Sequence, residues 1–99
     1  MTFRLRIRPQ AEAETAAAAE WYEARRQGLG AEFVDVVDAA LAEIERSPRK
    51  HPLWRAGYPY RRRSLRRFPY TIFYRIESDD IVVVAVANSR RRPGHFIEP

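Results

Sequence analysis

Tyr70-Thr71-Ile72-Phe73-Tyr74-Arg75-Ile76-Glu77-Ser78-Asp79-Asp80-Ile81-Val82-Val83-Val84-Ala85-Val86-Ala87 is the stretch from which the fold can be read. Tyr70, Ile72, Tyr74 and Ile76 alternate with Thr71, Phe73 and Arg75, which is the period of two that sends successive side chains to opposite faces of a strand. Ser78-Asp79-Asp80 supplies turn chemistry. The run from Ile81 to Ala87 then drops the alternation and becomes continuously apolar and mostly β-branched, as in a central strand buried on both faces. The stretch reads as a hairpin at the middle of a sheet.

Upstream, Tyr60 to Arg66 reads as a further strand, loaded with arginine. Residues 48–59 hold Pro48, Pro52, Gly57 and Pro59 and read as an irregular connection that anchors Trp54 against the core. Before it, Phe33, Val36, Val37, Ala40, Leu41 and Ile44 fall at the spacings of one helical face, with Glu32, Asp35, Glu43 and Glu45 mostly elsewhere. Ser47-Pro48 stops that helix. Gly28-Leu29-Gly30 offers the permissive residues of a tight helix–helix turn. From Gln10 to Gln27 the Ala- and Glu-rich chain predicts another helix, whose narrow stripe is read as Ala13, Ala17, Trp21 and Ala24. Phe3, Leu5 and Ile7 alternate with Arg4, Arg6 and Arg8 as a first strand that Pro9 ends. Asn88 to Pro99 is a basic tail. The resulting order is β-α-α-β-β-β, an α+β layer in which a helical hairpin packs on a mostly antiparallel sheet. At 99 residues it is read as one domain over 1–99.

The net charge of +5 conceals a division. Residues 1–45 carry five Arg against nine acids, and residues 46–99 carry thirteen basic residues against four acids, so the halves stand at −4 and +9. All the basic side chains except Lys50 are Arg, the planar bidentate donor that suits phosphate and carboxylate. A segregated basic half implies a polyanionic partner, either nucleic acid or an acidic protein segment.

With no Cys in the chain, disulfides, thiol nucleophiles and thiolate metal sites are ruled out. There is no apolar run of the roughly 18 residues a membrane span needs, and residues 1–6 lack the apolar core of a secretory signal, so a cytoplasmic location is expected. No Gly-rich phosphate loop, His-Glu-x-x-His or Asp/Asn-rich calcium loop occurs. With only His51 and His95, neither a His-based metal site nor any cofactor is expected. Most acids lie in the helical half, where a solvated face accounts for them.

Arg61-Arg62-Arg63 and Arg66-Arg67 must crowd several guanidinium groups onto one surface. Such clustering reads either as solvated edge charge that discourages aggregation or as anion recognition, and Arg62, Arg66, Arg67, Arg75, Arg90 and Arg92 are the candidates for an anionic partner. His95 is chemically eligible as a general acid, since an unperturbed imidazole titrates near pH 6.5. Tyr70, Tyr74 and Trp54 have rings that could stack on bases, although tyrosines at strand spacing also serve as core packing.

Ala16 through Trp21-Tyr22-Glu23, Gly28-Leu29-Gly30-Ala31-Glu32-Phe33 and Ala40-Leu41-Ala42-Glu43-Ile44-Glu45-Arg46-Ser47-Pro48 resemble the helical half of the RelE/ParE toxin superfamily. The resemblance continues through Arg66-Arg67-Phe68-Pro69-Tyr70-Thr71-Ile72-Phe73-Tyr74-Arg75-Ile76 and Ile81-Val82-Val83-Val84-Ala85-Val86 to Arg90-Arg91-Arg92-Pro93, and covers nearly the whole chain. It implies the same β-α-α-β-β-β fold, a growth-inhibiting toxin of the plasmid-stabilisation type, and a cognate antitoxin whose acidic, amphipathic C-terminal segment wraps the toxin. The target is left open, because RelE-like members cut mRNA on the ribosome and ParE-like members poison DNA gyrase. RelE-like cleavage needs no metal. Its phosphate-binding Arg on the third strand corresponds to Thr71 here, its basic pair on the second strand to Arg61 and Arg63, and its Arg beyond the last strand to Arg91. The C-terminal Tyr is replaced by Phe96 with His95 beside it. The resemblance therefore implies a ParE-like binding toxin directed at gyrase. Its alternatives are a ribosome-dependent endoribonuclease using Arg61, Arg63, Arg91 and His95, and a degenerate toxin that only forms an autoregulatory complex with its antitoxin.

Overall fold

The computed structural model describes residues 2–90. Strand β1 (Arg4–Ile7), helices α1 (Pro9–Arg25) and α2 (Leu29–Arg46), and strands β2 (Tyr60–Ser64), β3 (Tyr70–Glu77) and β4 (Asp80–Asn88) follow in the expected order. The sheet runs β1-β4-β3-β2. The β3–β4 and β2–β3 pairs are antiparallel, and β1 lies parallel to β4 with Leu5 opposite Ile81 and Ile7 opposite Val83. The hairpin read from residues 70–87 thus forms the middle of the sheet, with Ser78 at its turn taking a positive φ of 57°.

Residues 81–87 are all buried, as an unbroken apolar run requires. The run also conceals a β-bulge. The register steps from Phe73 opposite Ala85 to Tyr74 opposite Val83, so Val84 is the extra residue. Alternation therefore breaks within β4. Val83 and Val86 join the core under the helices, whereas Val82, Val84, Ala85 and Ala87 pack with Phe73 on the far face. Past the end of β1, the Val86 N–H donates to Glu14 Oε1 of α1 at 2.8 Å, so a side chain continues the hydrogen bonding that the short edge strand cannot.

α2 buries Phe33, Val37, Ala40, Leu41 and Ile44, with Val36 half-buried, which is the face its spacing predicted. α1 corrects its predicted stripe. Ala13, Ala17 and Ala24 are exposed and Trp21 is 53% exposed, with the Arg25 guanidinium 4.1 Å from its ring centroid. The buried side is Ala11 and Ala18, continued by the half-buried Thr15 and Tyr22 at helical spacing. In a helix that is alanine nearly all round, side-chain hydrophobicity barely distinguishes one face from another; the large ring of Tyr22 decides it. Tyr22, Phe33, Phe68 and Tyr70 form a cluster with centroids 4.8–6.2 Å apart that locks both helices to the β2–β3 connection.

The turn between the helices, residues 26–28, lies two residues earlier than expected. Gly28, at φ 88°, precedes α2, but Gly30 lies inside the helix and is buried. A Cβ there would stand 2.6 Å from the Ala19 carbonyl oxygen, so glycine lets the helices approach closely. Glu23 reaches across from α1 and accepts the N–H groups of Gly28 at 2.9 Å and Gly30 at 3.0 Å. This carboxylate does the capping that Gly28, lacking a side chain, cannot do, and the two N–H bonds hold its pKa below the usual range.

Residues 48–59 wrap the open edge of β2. The Trp54 N–H donates to the Tyr60 carbonyl at 2.8 Å, and the Arg62 N–H donates to the Pro52 carbonyl at 3.1 Å. This partly covers the exposed edge. Trp54 and Tyr60 pack on Phe73 and its neighbours, so Trp54 is anchored as expected, but to the smaller apolar layer on the far face of the sheet.

Candidate partner-binding surface

Strand alternation divides the three consecutive arginines of β2. Arg61 and Arg63, opposite Tyr74 and Ile72, share the helix-bearing side; Arg62, opposite Phe73, points the other way. Both helix-side arginines are engaged within the fold. Arg61 Nη1 donates to the carbonyls of His51 at 2.7 Å and Arg49 at 3.2 Å, fastening the 48–53 segment to β2. Arg63 Nε donates to Glu43 Oε1 at 2.8 Å, tying β2 to α2, and Arg63 also donates to the Ser64 carbonyl. Arg63 holds the Glu43 carboxyl below the usual carboxylate range.

His51 sits beside this pair, buried, with Nε2 3.5 Å from Glu43 Oε1 and without a hydrogen-bond partner among the described residues. Burial pushes its pKa down, outweighing the attraction of Glu43, so the ring is neutral at pH 7. Beneath it, the Tyr74 hydroxyl donates to the Pro48 carbonyl at 2.6 Å, and burial lifts the phenol pKa to about 12. Tyr74 is fully buried and cannot stack on a base, and Tyr70 belongs to the aromatic cluster under the helices. Trp54 is the one of the three candidate rings on the far sheet face.

Arg66 and Arg67 follow β2 on the connection to β3. Arg67 pairs with Glu32 of α2, which also accepts from Arg26 at 3.4 Å, and its guanidinium lies 5.2 Å from the Phe68 ring centroid. Arg66 is exposed and makes no ion pair among the described residues. Between this connection and α2 runs a groove of about 270 Å³. Val36, Ala39, Ala40 and Leu65 supply its apolar surface; Arg63, Arg66 and Arg67 line it with Glu43, and since Arg63 pairs with Glu43 and Arg67 with Glu32, Arg66 is the cation of the three without an ion pair among the described residues. Such a groove fits a segment that is apolar on one side and acidic on the other.

The other candidates do not join this surface. Arg62 lies on the opposite face of the sheet, Arg75 pairs with Glu77 near the hairpin turn, and Arg90 is close enough to Tyr22 for its charge to oppose the burial-driven rise of that phenol's pKa. Arg91, Arg92 and His95 lie outside the described residues. Among the described residues no group of His, Asp and Glu is placed to hold a metal ion, and no helix is long and apolar enough to cross a membrane.

The sequence reading missed the groove's apolar side and the Glu43–Arg63–His51 cluster. Spacing alone places Val36 on the core face and gives Ala39 no role. A usable signal existed, since the hydrophobic arc of α2 continues through them and is wider than one sheet contact can cover.

A family model described as the ParE toxin of the type II toxin–antitoxin system parDE matches residues 5–93. Solved structures that share the fold include two toxin–antitoxin systems. The chromosomal ParDE toxin–antitoxin system from P. aeruginosa superposes with a TM-score of 0.77 at 14% identity, covering 88% of this chain and 96% of that one. The RelBE2 toxin–antitoxin complex from Mycobacterium tuberculosis superposes with a TM-score of 0.58 at 20% identity, covering 89% and 99%. No curated protein sequence matches the chain.

Proposed function

The chain belongs to the ParE family of type II toxin–antitoxin toxins, and from that membership we propose that it inhibits DNA gyrase by binding and is neutralised by a cognate antitoxin. The observation that carries the binding reading is the commitment of Arg61 and Arg63. A phosphodiester-cleaving site needs basic side chains free to meet developing charge on the phosphate. Here Arg61 is held by two backbone carbonyls and Arg63 by Glu43, so recruiting either to RNA would first break bonds that fasten β2 to its neighbours.

The antitoxin lies in the groove between α2 and the β2–β3 connection. An amphipathic acidic segment buries its apolar side on Val36, Ala39 and Leu65 and places its carboxylates against Arg66 and Arg67. Charge-assisted hydrogen bonds to Arg are among the stronger polar contacts a protein makes, and the apolar surface adds burial to them.

The test is a gyrase supercoiling assay with purified chain, followed by titration of the protein encoded beside it. The expected result is loss of supercoiled product that the antitoxin restores. Full supercoiling at saturating toxin removes gyrase as the target. Messenger cleavage in a translation extract would instead establish the endoribonuclease, and the absence of either effect from a folded chain would leave the complex-forming role alone.

A further inference from the structure

The sequence from Arg46 to Ile76 holds ten cationic side chains and no Asp or Glu, and near its middle the chain forms an arm at the β2 edge of the sheet. Residues 52–54 run antiparallel to the start of β2. The Trp54 N–H donates to the Tyr60 carbonyl at 2.8 Å, Leu53 bridges Arg61, and the Arg62 N–H donates to the Pro52 carbonyl at 3.1 Å. The arm closes through a turn in which the Tyr58 N–H donates to the Arg55 carbonyl at 3.2 Å and Gly57 takes a φ of 88°, as the third residue of a type II turn does. Residues 55–59, its tip, are all exposed.

The arm carries Leu53, 49% exposed, and Tyr58, 37% exposed, which with Trp21 are the large apolar side chains most open to solvent among the described residues. They stand on opposite sides of it. Leu53 shares the side of Arg61, its cross-strand neighbour, whereas the Tyr58 ring lies 5.4 Å from Trp54, which packs with Phe73 on the far face of the sheet. The Arg55 guanidinium lies 4.8 Å from the Trp54 ring centroid and 5.9 Å from that of Tyr58, and makes no ion pair among the described residues. Trp54 is therefore a support, its surface used within the chain. What the arm offers outward is Leu53, Tyr58 and the charge of Arg55.

An arm held in shape by its own hydrogen bonds loses little freedom on docking, and Tyr and Arg are the residue types that most often dominate binding at protein interfaces. With no carboxylate anywhere in this part of the sequence, the complementary charge has to come from the partner. A nucleic acid fits the arm less well. Leu53 has nothing to give a phosphate, and Arg55 covers ring surface on which a base would stack. We propose that residues 53–58 are the arm by which this toxin engages its protein target, entering a cleft that is apolar inside and acidic at its rim. The proposal rests on the reading of the chain as a binding toxin, and it does not require the target to be gyrase. The arm stands at the Tyr60 end of β2, while the groove assigned to the antitoxin takes in Leu65, Arg66 and Arg67 past the other end, roughly 17 Å away along a five-residue strand.

The experiment expresses the full chain and its variants from an inducible promoter and scores growth. The purified proteins are measured for gyrase inhibition and, by calorimetry, for affinity to the protein encoded beside the chain. Tyr58→Ser, Leu53→Ser and Arg55→Glu should each relieve growth arrest and raise the concentration needed to inhibit gyrase by about tenfold or more, as loss of a dominant interface side chain does, with antitoxin affinity held within about threefold. Tyr58→Phe and Arg55→Lys, which keep the ring and the charge, should stay within a few-fold of the parent. Arg8→Glu, an equal change of charge beyond the opposite edge strand, should behave as the parent. Matched thermal melts establish that the variants fold. The proposal is overturned if folded Tyr58→Ser and Arg55→Glu arrest growth as the parent does, if Arg8→Glu loses as much, if antitoxin affinity falls in parallel, or if the parent arrests nothing. Other occupants overturn it too. Binding of a ten-nucleotide single strand that Tyr58→Ser abolishes would make the arm a nucleic-acid contact, and a parent dimer that Tyr58→Ser converts to monomer in sedimentation would make it a contact between copies. Growth arrest without gyrase inhibition removes gyrase alone, and arrest by the variants then decides the arm; gyrase inhibition undiminished in the variants removes the arm alone.

Discussion

Replacing Gly30 with alanine should destabilise the protein even though alanine is the better helix former. The added Cβ would meet the Ala19 carbonyl oxygen at 2.6 Å and Glu23 Oε1 at 3.0 Å. The first obstacle is backbone, so the only relief is to move α1 and α2 apart. That movement also pulls Glu23 away from the N–H groups of Gly28 and Gly30. Overpacking of this kind costs about 1–3 kcal/mol, whereas exchanging glycine for alanine within a helix returns about 1 kcal/mol. A net loss of up to about 2 kcal/mol remains, which for a domain of this size lowers Tm by up to about 16 °C. Urea denaturation should show a lower midpoint with an unchanged m-value. Gly28→Ala gives a useful contrast. Nothing lies within 4 Å of its new Cβ, but φ is 88°, so its penalty comes from backbone strain and leaves the helix spacing alone. A Gly30→Ala protein as stable as the parent would refute the argument that close helix approach requires this glycine.

Tyr74→Phe removes the hydroxyl that satisfies the Pro48 carbonyl and should cost about 1–3 kcal/mol, read as a fall in the urea midpoint. Stability should decline on acidification in two stages. The folded pKa of His51 lies below 6.5, so its contribution is complete above pH 6.5 and is lost as pH falls through the folded value; Glu23, Glu32 and Glu43 lie below 4.5 and add their losses beneath that pH. His51→Gln, which cannot take up the proton, should abolish the upper stage in melting curves between pH 7 and 5 while leaving the lower one. In the α2 groove, Ala39→Glu combined with Arg66→Glu places acids where an acidic partner must lie and should weaken antitoxin binding by tenfold or more in calorimetry. Unchanged affinity, with the variant folded, would move the antitoxin to another surface.

How much of this was legible beforehand depended on how sharply residue types contrast along each element. α2 could be read because large apolar residues alternate with acids, and the β3–β4 hairpin because Ser78-Asp79 interrupts two strongly β-forming runs. α1 was misassigned because alanine occupies both its sides and exposed Trp21 resembles a core residue; its ring is accommodated at the surface by Arg25. The Val84 bulge was invisible within a run whose members are all apolar. In β2 the alternation of arginines was plain, but which parity faced the helices was not, since Arg61, Arg62 and Arg63 are chemically identical. Pairing with Ile72 and Tyr74 decides it, and that is a long-range fact. The family resemblance reached the fold and the toxin class, while the groove arose only from tertiary packing of α2 against the β2–β3 connection.

The parallel pairing of β1 with β4 carries a consequence for biosynthesis. Arg4 is registered with Asp80 and Ile7 with Val83, so the first strand made must wait for the last. The chain's N-terminal edge closes only through contacts of very high sequence separation, the kind that slow folding most because loop entropy is lost before any contact forms. A nascent chain can assemble the α1–α2 hairpin locally, yet without β4 it has neither the sheet centre nor a partner for β1. A product terminated before β4 therefore lacks the centre of the sheet and the partner of β1, and with them the platform on which the helices pack.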